Sequence, residues 1–159
     1  MLTREARRRC TATARFGESR QEWGARGICT GPLYNAAMDA EKIVLEFCNA
    51  VPSRDVALLV GFFSEDAVYH NIPIAPVTGR AEIEKTLNGF LAPASDAEFE
   101  VLAIASRGNV VLTERVDRFT IGDKRIELPV MGTFEVDAEG KISAWRDYFD
   151  MAQFTAQMS

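Results

Sequence analysis

Apolar residues along the first structured stretch recur with the spacing of a helix. Between Asp39 and Ala50, the residues Ile43, Val44, Phe47 and Cys48, and then Val51, fall on one stripe. Glu41, Lys42, Glu46 and Asn49 take the opposite side. Pro52-Ser53 ends that run and supplies a cap for a second helix, whose stripe is Val56, Leu59, Val60 and Phe63. Ser64-Glu65-Asp66 predicts a turn into a short extended segment, Ala67 to Asn71. Pro73 and Pro76 then hold a loop that ends at Gly79. Arg80 to Phe90 predicts a third helix, with Ile83, Leu87 and Phe90 on one face. From Glu98 the period changes to two. Strands are expected over Phe99–Ser106, Val110–Thr120, Arg125–Val136 and Ile142–Phe149, separated by the turn residues Arg107-Gly108-Asn109, Gly122-Asp123 and Asp137-Ala138-Glu139-Gly140. Strands joined by such tight turns run antiparallel, and Pro129, which lacks a ladder donor, belongs at a bulge or an unpaired edge. Helices followed by a meander predict an α+β fold, with the N-terminal helices packed on one face of a curved sheet. A sheet that wraps around a helix leaves a cone whose mouth admits a small ligand.

Charge divides the chain in two. Residues 1–37 hold seven arginines against three glutamates, a net +4, whereas residues 38–159 hold 11 basic and 20 acidic residues, a net −9. The first segment has no sustained periodicity and is broken by Gly17, Gly24, Gly27, Gly31 and Pro32. It is expected to be a disordered, arginine-rich extension ahead of one domain over 38–159. Its arginines are not interleaved with stacking aromatics, so no nucleic-acid partner is expected. No run approaches the roughly 20 apolar residues of a membrane span, so no membrane partner is expected either. Cys10, Cys29 and Cys48 lie far apart without a CxxC pair, and His70 is the only histidine. That argues against a structural zinc site and a disulfide scaffold, and suits a reducing cytoplasm.

Strand parity gathers the polar residues. Side chains two apart share a face, so Val111, Thr113, Arg115, Asp117 and Phe119 point together, as do Trp145, Asp147 and Phe149, and as do Tyr69 and Asn71. If these faces converge, a cavity holds two carboxylates, a guanidinium, a phenol and an amide between apolar walls. Two buried aspartates close together cannot both ionise cheaply. One arginine donating to both leaves one a neutral acid and the other an ionised base. An acid on one side and an activated water on the other suits addition of water to a strained ring. Each feature also has a plainer reading. An Arg–Asp pair on a strand is commonly a solvent-facing ion pair, Asp147 could be a surface carboxylate, and a buried tyrosine needs only a hydrogen-bond partner. His70 falls on the opposite face and reads as solvent-facing or structural, and Cys48 on the helical stripe reads as packing.

The strings Thr113-Glu114-Arg115-Val116-Asp117, Trp145-Arg146-Asp147-Tyr148-Phe149-Asp150, Val68-Tyr69-His70-Asn71-Ile72-Pro73 and Glu41-Lys42-Ile43-Val44-Leu45-Glu46-Phe47 together closely resemble the limonene epoxide hydrolase family, in the same order over about Asp39 to Phe154. The resemblance implies a curved mixed, largely antiparallel sheet with helices capping a deep pocket: the cystatin-like cone of ketosteroid isomerase-like proteins. It implies a homodimer without metal or organic cofactor. The reaction implied is hydrolysis of a small apolar, terpene-like or cyclic epoxide to a vicinal diol. By the same resemblance Asp147 is the base that deprotonates water held by Tyr69 and Asn71, Asp117 is the acid, and Arg115 bridges the two. Cys48, Val51, Phe90, Phe119, Leu128, Val130 and Phe149 correspond to the pocket wall, and Phe90 and Phe119 are bulkier than the aliphatic residues expected there. The same cone also serves ketosteroid isomerases, polyketide cyclases and binding modules without catalysis. An isomerase, however, needs a protonated acid that a neighbouring arginine would tend to ionise, and a binding module has no use for a second buried carboxylate.

Overall fold

The computed structural model describes the backbone of residues 33–159 and side chains from Ala40 onward; the expectation for residues 1–32 lies outside the described part. Helix α1 (Leu33–Ala50) starts six residues before the expected Asp39, so residues 33–37 are helical. From Leu33 to Val51 the sequence is free of glycine and proline and holds Ala36 and Ala37, which favour a helix. A 3-10 turn (Val51–Ser53) and the short helix α2 (Val56–Val60) follow. The residue that caps α2 is Asp55, whose carboxylate accepts from the Leu58 N–H, and not Ser53, which the turn occupies. Strand β1 (Phe63–Asn71) takes in Phe63, expected on a helix, and Ser64-Glu65-Asp66, expected as a turn. A register shift against its neighbour between Phe63 and Val68 accommodates these polar residues within the strand. A two-residue strand β2 (Val77–Thr78), helix α3 (Arg80–Leu91), strands β3 (Ala94–Arg107), β4 (Val110–Ile121), β5 (Lys124–Val136) and β6 (Ile142–Tyr148), and helix α4 (Met151–Met158) complete the chain.

The six strands form one sheet in the order β2-β1-β6-β5-β4-β3. The β3–β6 meander is antiparallel as expected, whereas β1 lies parallel to β6. Pro129 faces Val116 of β4 at a point where β6, which ends opposite Met131, no longer flanks β5. Its missing N–H therefore breaks no ladder. The side chain of Phe47 on α1 fixes the helix to the inner face of the sheet. Its ring meets those of Phe63, Phe99, Phe134 and Trp145 edge-on, at 5.2–6.4 Å.

Register places one row of residues across four strands: Asn71 of β1 opposite Asp147 of β6, Asp147 opposite Gly132 of β5, and Gly132 opposite Thr113 of β4. The next row carries Tyr69 beside Trp145, and Arg115 beside Val130 follows Thr113 on β4. The polar side chains singled out by parity thus come to adjacent places on the inner face.

Candidate active site

Arg115 is the centre of the arrangement. Its Nε donates to Asp117 Oδ1 at 2.7 Å, and its Nη2 donates to Asp117 Oδ2 at 3.1 Å and to Asp147 Oδ2 at 2.5 Å. The remaining nitrogen, Nη1, donates to Thr113 Oγ1 at 3.3 Å. To reach Asp147 from β4 the guanidinium must cross β5, and it does so over Gly132. A Cβ on Gly132 would stand 2.2 Å from Arg115 Nη1 and 2.6 Å from Thr113 Oγ1. Only a residue without a side chain leaves that lane open. The rings of Phe99, Phe134 and Trp145 surround the guanidinium carbon at 4.8, 5.8 and 5.7 Å.

Asp147 is held from its other side. The indole Nε1 of Trp145 donates to Oδ1 at 2.6 Å, and the same indole stacks on Tyr69 with ring centroids 4.0 Å apart. The Tyr69 hydroxyl donates to Asn71 Oδ1 at 3.0 Å. Arg115 is 1% exposed and Asp147 3%, so the ion pairs are interior ones; the solvent-facing alternative does not hold. Among the described residues no buried side-chain nitrogen or oxygen lacks a partner.

Burial dominates the titration of the two acids. It pushes the Asp117 carboxyl up to about 7; Arg115 opposes the rise and the negative charge of Asp147 adds to it. Burial also raises Asp147, against the pull of Arg115 and of the Trp145 N–H. Burial works against the charge on Arg115, but Asp147 and Asp117 more than offset it and hold its pKa above the ordinary value. The cluster therefore favours one proton shared unequally between two carboxyls beside a permanent cation. Tyr69 is raised well above its usual value by burial and remains a neutral phenol.

These groups line a cavity of about 180 Å³ at the mouth of the cone. Tyr69, Asn71, Asp117 and Asp147 open onto it, with Phe90, Phe119, Leu128, Val130 and Phe149 among its walls. Two of the wall residues expected from the resemblance lie elsewhere. Cys48 and Val51 are buried in the core cluster and are not part of the lining. The Cys48 thiol is pushed up to about 12 by burial, so it stays protonated packing. His70 pairs by register with Arg146 on the outward face and is partly exposed. Ile74, Phe99, Ile121, Ile126, Met151 and Phe154 line the cavity and escaped the sequence reading. Inward parity on β3, β4 and β5 was a usable signal for Phe99, Ile121 and Ile126; Ile74, Met151 and Phe154 depend on loop and α4 placement. A larger surface groove of about 710 Å³, between α1 and the β5–β6 turn, holds none of the clustered acids. Among the described residues no three histidine, cysteine, aspartate or glutamate side chains group as a metal site.

Comparison with known proteins gives a consistent result. The model of the limonene-1,2-epoxide hydrolase catalytic domain matches residues 38–159. Epoxide hydrolase EphG of Mycobacterium tuberculosis is 34% identical over 105 residues, 66% of this chain and 69% of that protein. The structure of an M. tuberculosis LEH-like epoxide hydrolase superposes with a TM-score of 0.68 at 31% identity, covering 76% of this chain and 90% of that one. The epoxide hydrolase/cyclase-like enzyme SalBIII, studied for pyran ring formation in the polyether salinomycin, shares the fold at a TM-score of 0.67. It is 21% identical and covers 73% of this chain and 94% of its own.

Proposed function

Because the chain belongs to the limonene-1,2-epoxide hydrolase family, we infer that it hydrolyses small apolar epoxides to vicinal diols in one step, without a cofactor. The observation that carries the mechanism is the single buried guanidinium bonded to both Asp117 and Asp147 on the wall of an apolar cavity. In this reading a water sits against Asp147, held also by Asn71. The Tyr69 hydroxyl occupies the amide oxygen of Asn71, which leaves the amide's donor end for the water. Asp147 takes one proton from the water as its oxygen attacks an oxirane carbon. The bond from that carbon to the ring oxygen breaks, and the oxygen takes the proton of Asp117. The product is a 1,2-diol; a proton passing from Asp147 back to Asp117 resets the site. Arg115 stays charged throughout and keeps the two acids in opposite states.

Asp147→Asn keeps the volume and removes the base. It should lower turnover by about 10³-fold or more with the melting temperature little changed. In a single turnover in heavy-oxygen water, the diol should carry the label and the protein none; label in a carboxylate would mean an ester intermediate and another mechanism.

The active unit proposed is residues 38–159, the span of the family match, and the working form a homodimer in the cytoplasm. Three observations support that assembly and setting. Leu112, Met131 and Tyr148 lie 47–51% exposed on neighbouring strands of the outer face, while α1 covers the inner one. No helix among the described residues is long and apolar enough to cross a membrane. The cysteine spacing suits a reducing compartment.

A further inference from the structure

The hydrolase reading names a reaction; the cavity walls bear on what is carried into it, and this inference rests on that reading. Its acid and its base are each followed, two residues on, by a phenylalanine: Asp117 by Phe119, and Asp147 by Phe149. All four line the same cavity. An epoxide whose ring lies between the two carboxyls must therefore send its substituent past Phe119 and Phe149. Phe119 meets Phe90 and Phe99 edge-to-face, at 5.5 Å and 77° and at 6.1 Å and 89°. Phe149 meets Phe154 at 6.4 Å and 70°. Five phenylalanines thus form two groups of mutually tilted rings, presenting both edges and faces to a ligand, which is the geometry that favours another ring.

Size and polarity narrow the choice further. A cavity of roughly 150 Å³ lined by apolar residues holds one benzene, so about 180 Å³ has room for one six-membered ring with its oxirane. Apart from Tyr69, Asn71, Asp117 and Asp147, every lining side chain is apolar, so the remote part of the substrate is hydrocarbon.

We propose that the preferred substrate is an oxirane bearing a single unsubstituted or alkyl-substituted aromatic ring, held between the Phe119 and Phe149 ring groups with its epoxide carbons between Asp117 and Asp147. Phe119 and Phe149 are specificity-determining residues in this arrangement. The ring opening itself is as described: water supplies the new hydroxyl and Asp117 protonates the old epoxide oxygen.

The test compares phenyloxirane with cyclohexyloxirane, which share carbon skeleton and size and differ in aromaticity. Because the two differ in intrinsic reactivity, the quantity read is the phenyl-to-cyclohexyl ratio of kcat/KM in Phe119→Leu and in Phe149→Leu relative to the wild type. That ratio should fall about fivefold in each variant, the worth of losing an aromatic pair. The same ratio, taken from calorimetric binding of the two product diols, should fall in parallel. Turnover of both epoxides with ratios unmoved in both variants overturns the aromatic preference and leaves the hydrolase standing. No diol from either epoxide, with the diol-binding ratio still falling, keeps the cavity inference and removes the hydrolase reading.

Discussion

Burying two carboxyls beside one guanidinium has a consequence for pH that can be worked out from Asp117. In the fold its carboxyl is raised to about 7, chiefly by burial, whereas in the unfolded chain it ionises near 3.8. The folded state therefore holds a proton that the unfolded state has released. The stabilising contribution is complete below the unfolded value and is lost as the pH rises through about 7. Asp147, also raised by burial, contributes with the same sign. The melting temperature should fall between about pH 4 and pH 7, and the slope should be shallower in Asp117→Asn. Hydrolysis should decline above about pH 7 as the acid loses its proton. An unchanged slope in the variant would take Asp117 out of the account. Parity alone had put Arg115 beside Asp117 and Tyr69 beside Asn71. The Trp145 bond to Asp147, also between residues two apart, was legible on the same grounds and went unread.

At the scale of the element, the register between β4, β5 and β6 decides whether the charges meet. Gly132 stands between Thr113 and Asp147, and the guanidinium passes over it. Gly132→Ala should push Arg115 off Asp147, lowering kcat by about 10²-fold with little effect on KM, at a stability cost of about 1–3 kcal/mol. Because Arg115 pulls the Asp147 carboxyl down, withdrawing the cation from it should also move the acidic limb of the pH profile upward, a change that a loss of packing alone would not produce. Helices α1 and α3 and the long strands were legible because their periods run over many residues. The elements missed are short: β2, whose two residues gain their meaning only from pairing with β1, and α4. Helix α4 did carry a local signal, since the Asp150 carboxylate accepts from the N–H groups of Ala152 and Gln153 as an N-cap does. Its Met151 and Phe154 close one side of the cavity.

The whole molecule adds the outer face. Leu112, Met131 and Tyr148 stand on adjacent strands there, with Glu114 opposite Met131 by register. Met131→Glu would place like charges side by side on that face. In light scattering after gel filtration the wild type should run as a dimer and the variant as a monomer with its fold retained; a monomeric wild type would remove the homodimer. Periodicity and parity, both local properties, determined the α+β class, the antiparallel meander and the shared faces of Arg115 with Asp117 and of Tyr69 with Asn71, but not that these faces turn inward and meet Asp147. Tertiary structure alone decided that β1 lies parallel to β6 and that Gly132 opens a lane for Arg115; the core position of Cys48 and Val51 follows the helical stripe and overturns only the wall role that the resemblance implied. The physical reason is that a side chain's face follows from the backbone's own repeat. Which faces meet, and at what register, depends on pairings between distant segments, such as Asn71 with Asp147, 76 residues apart.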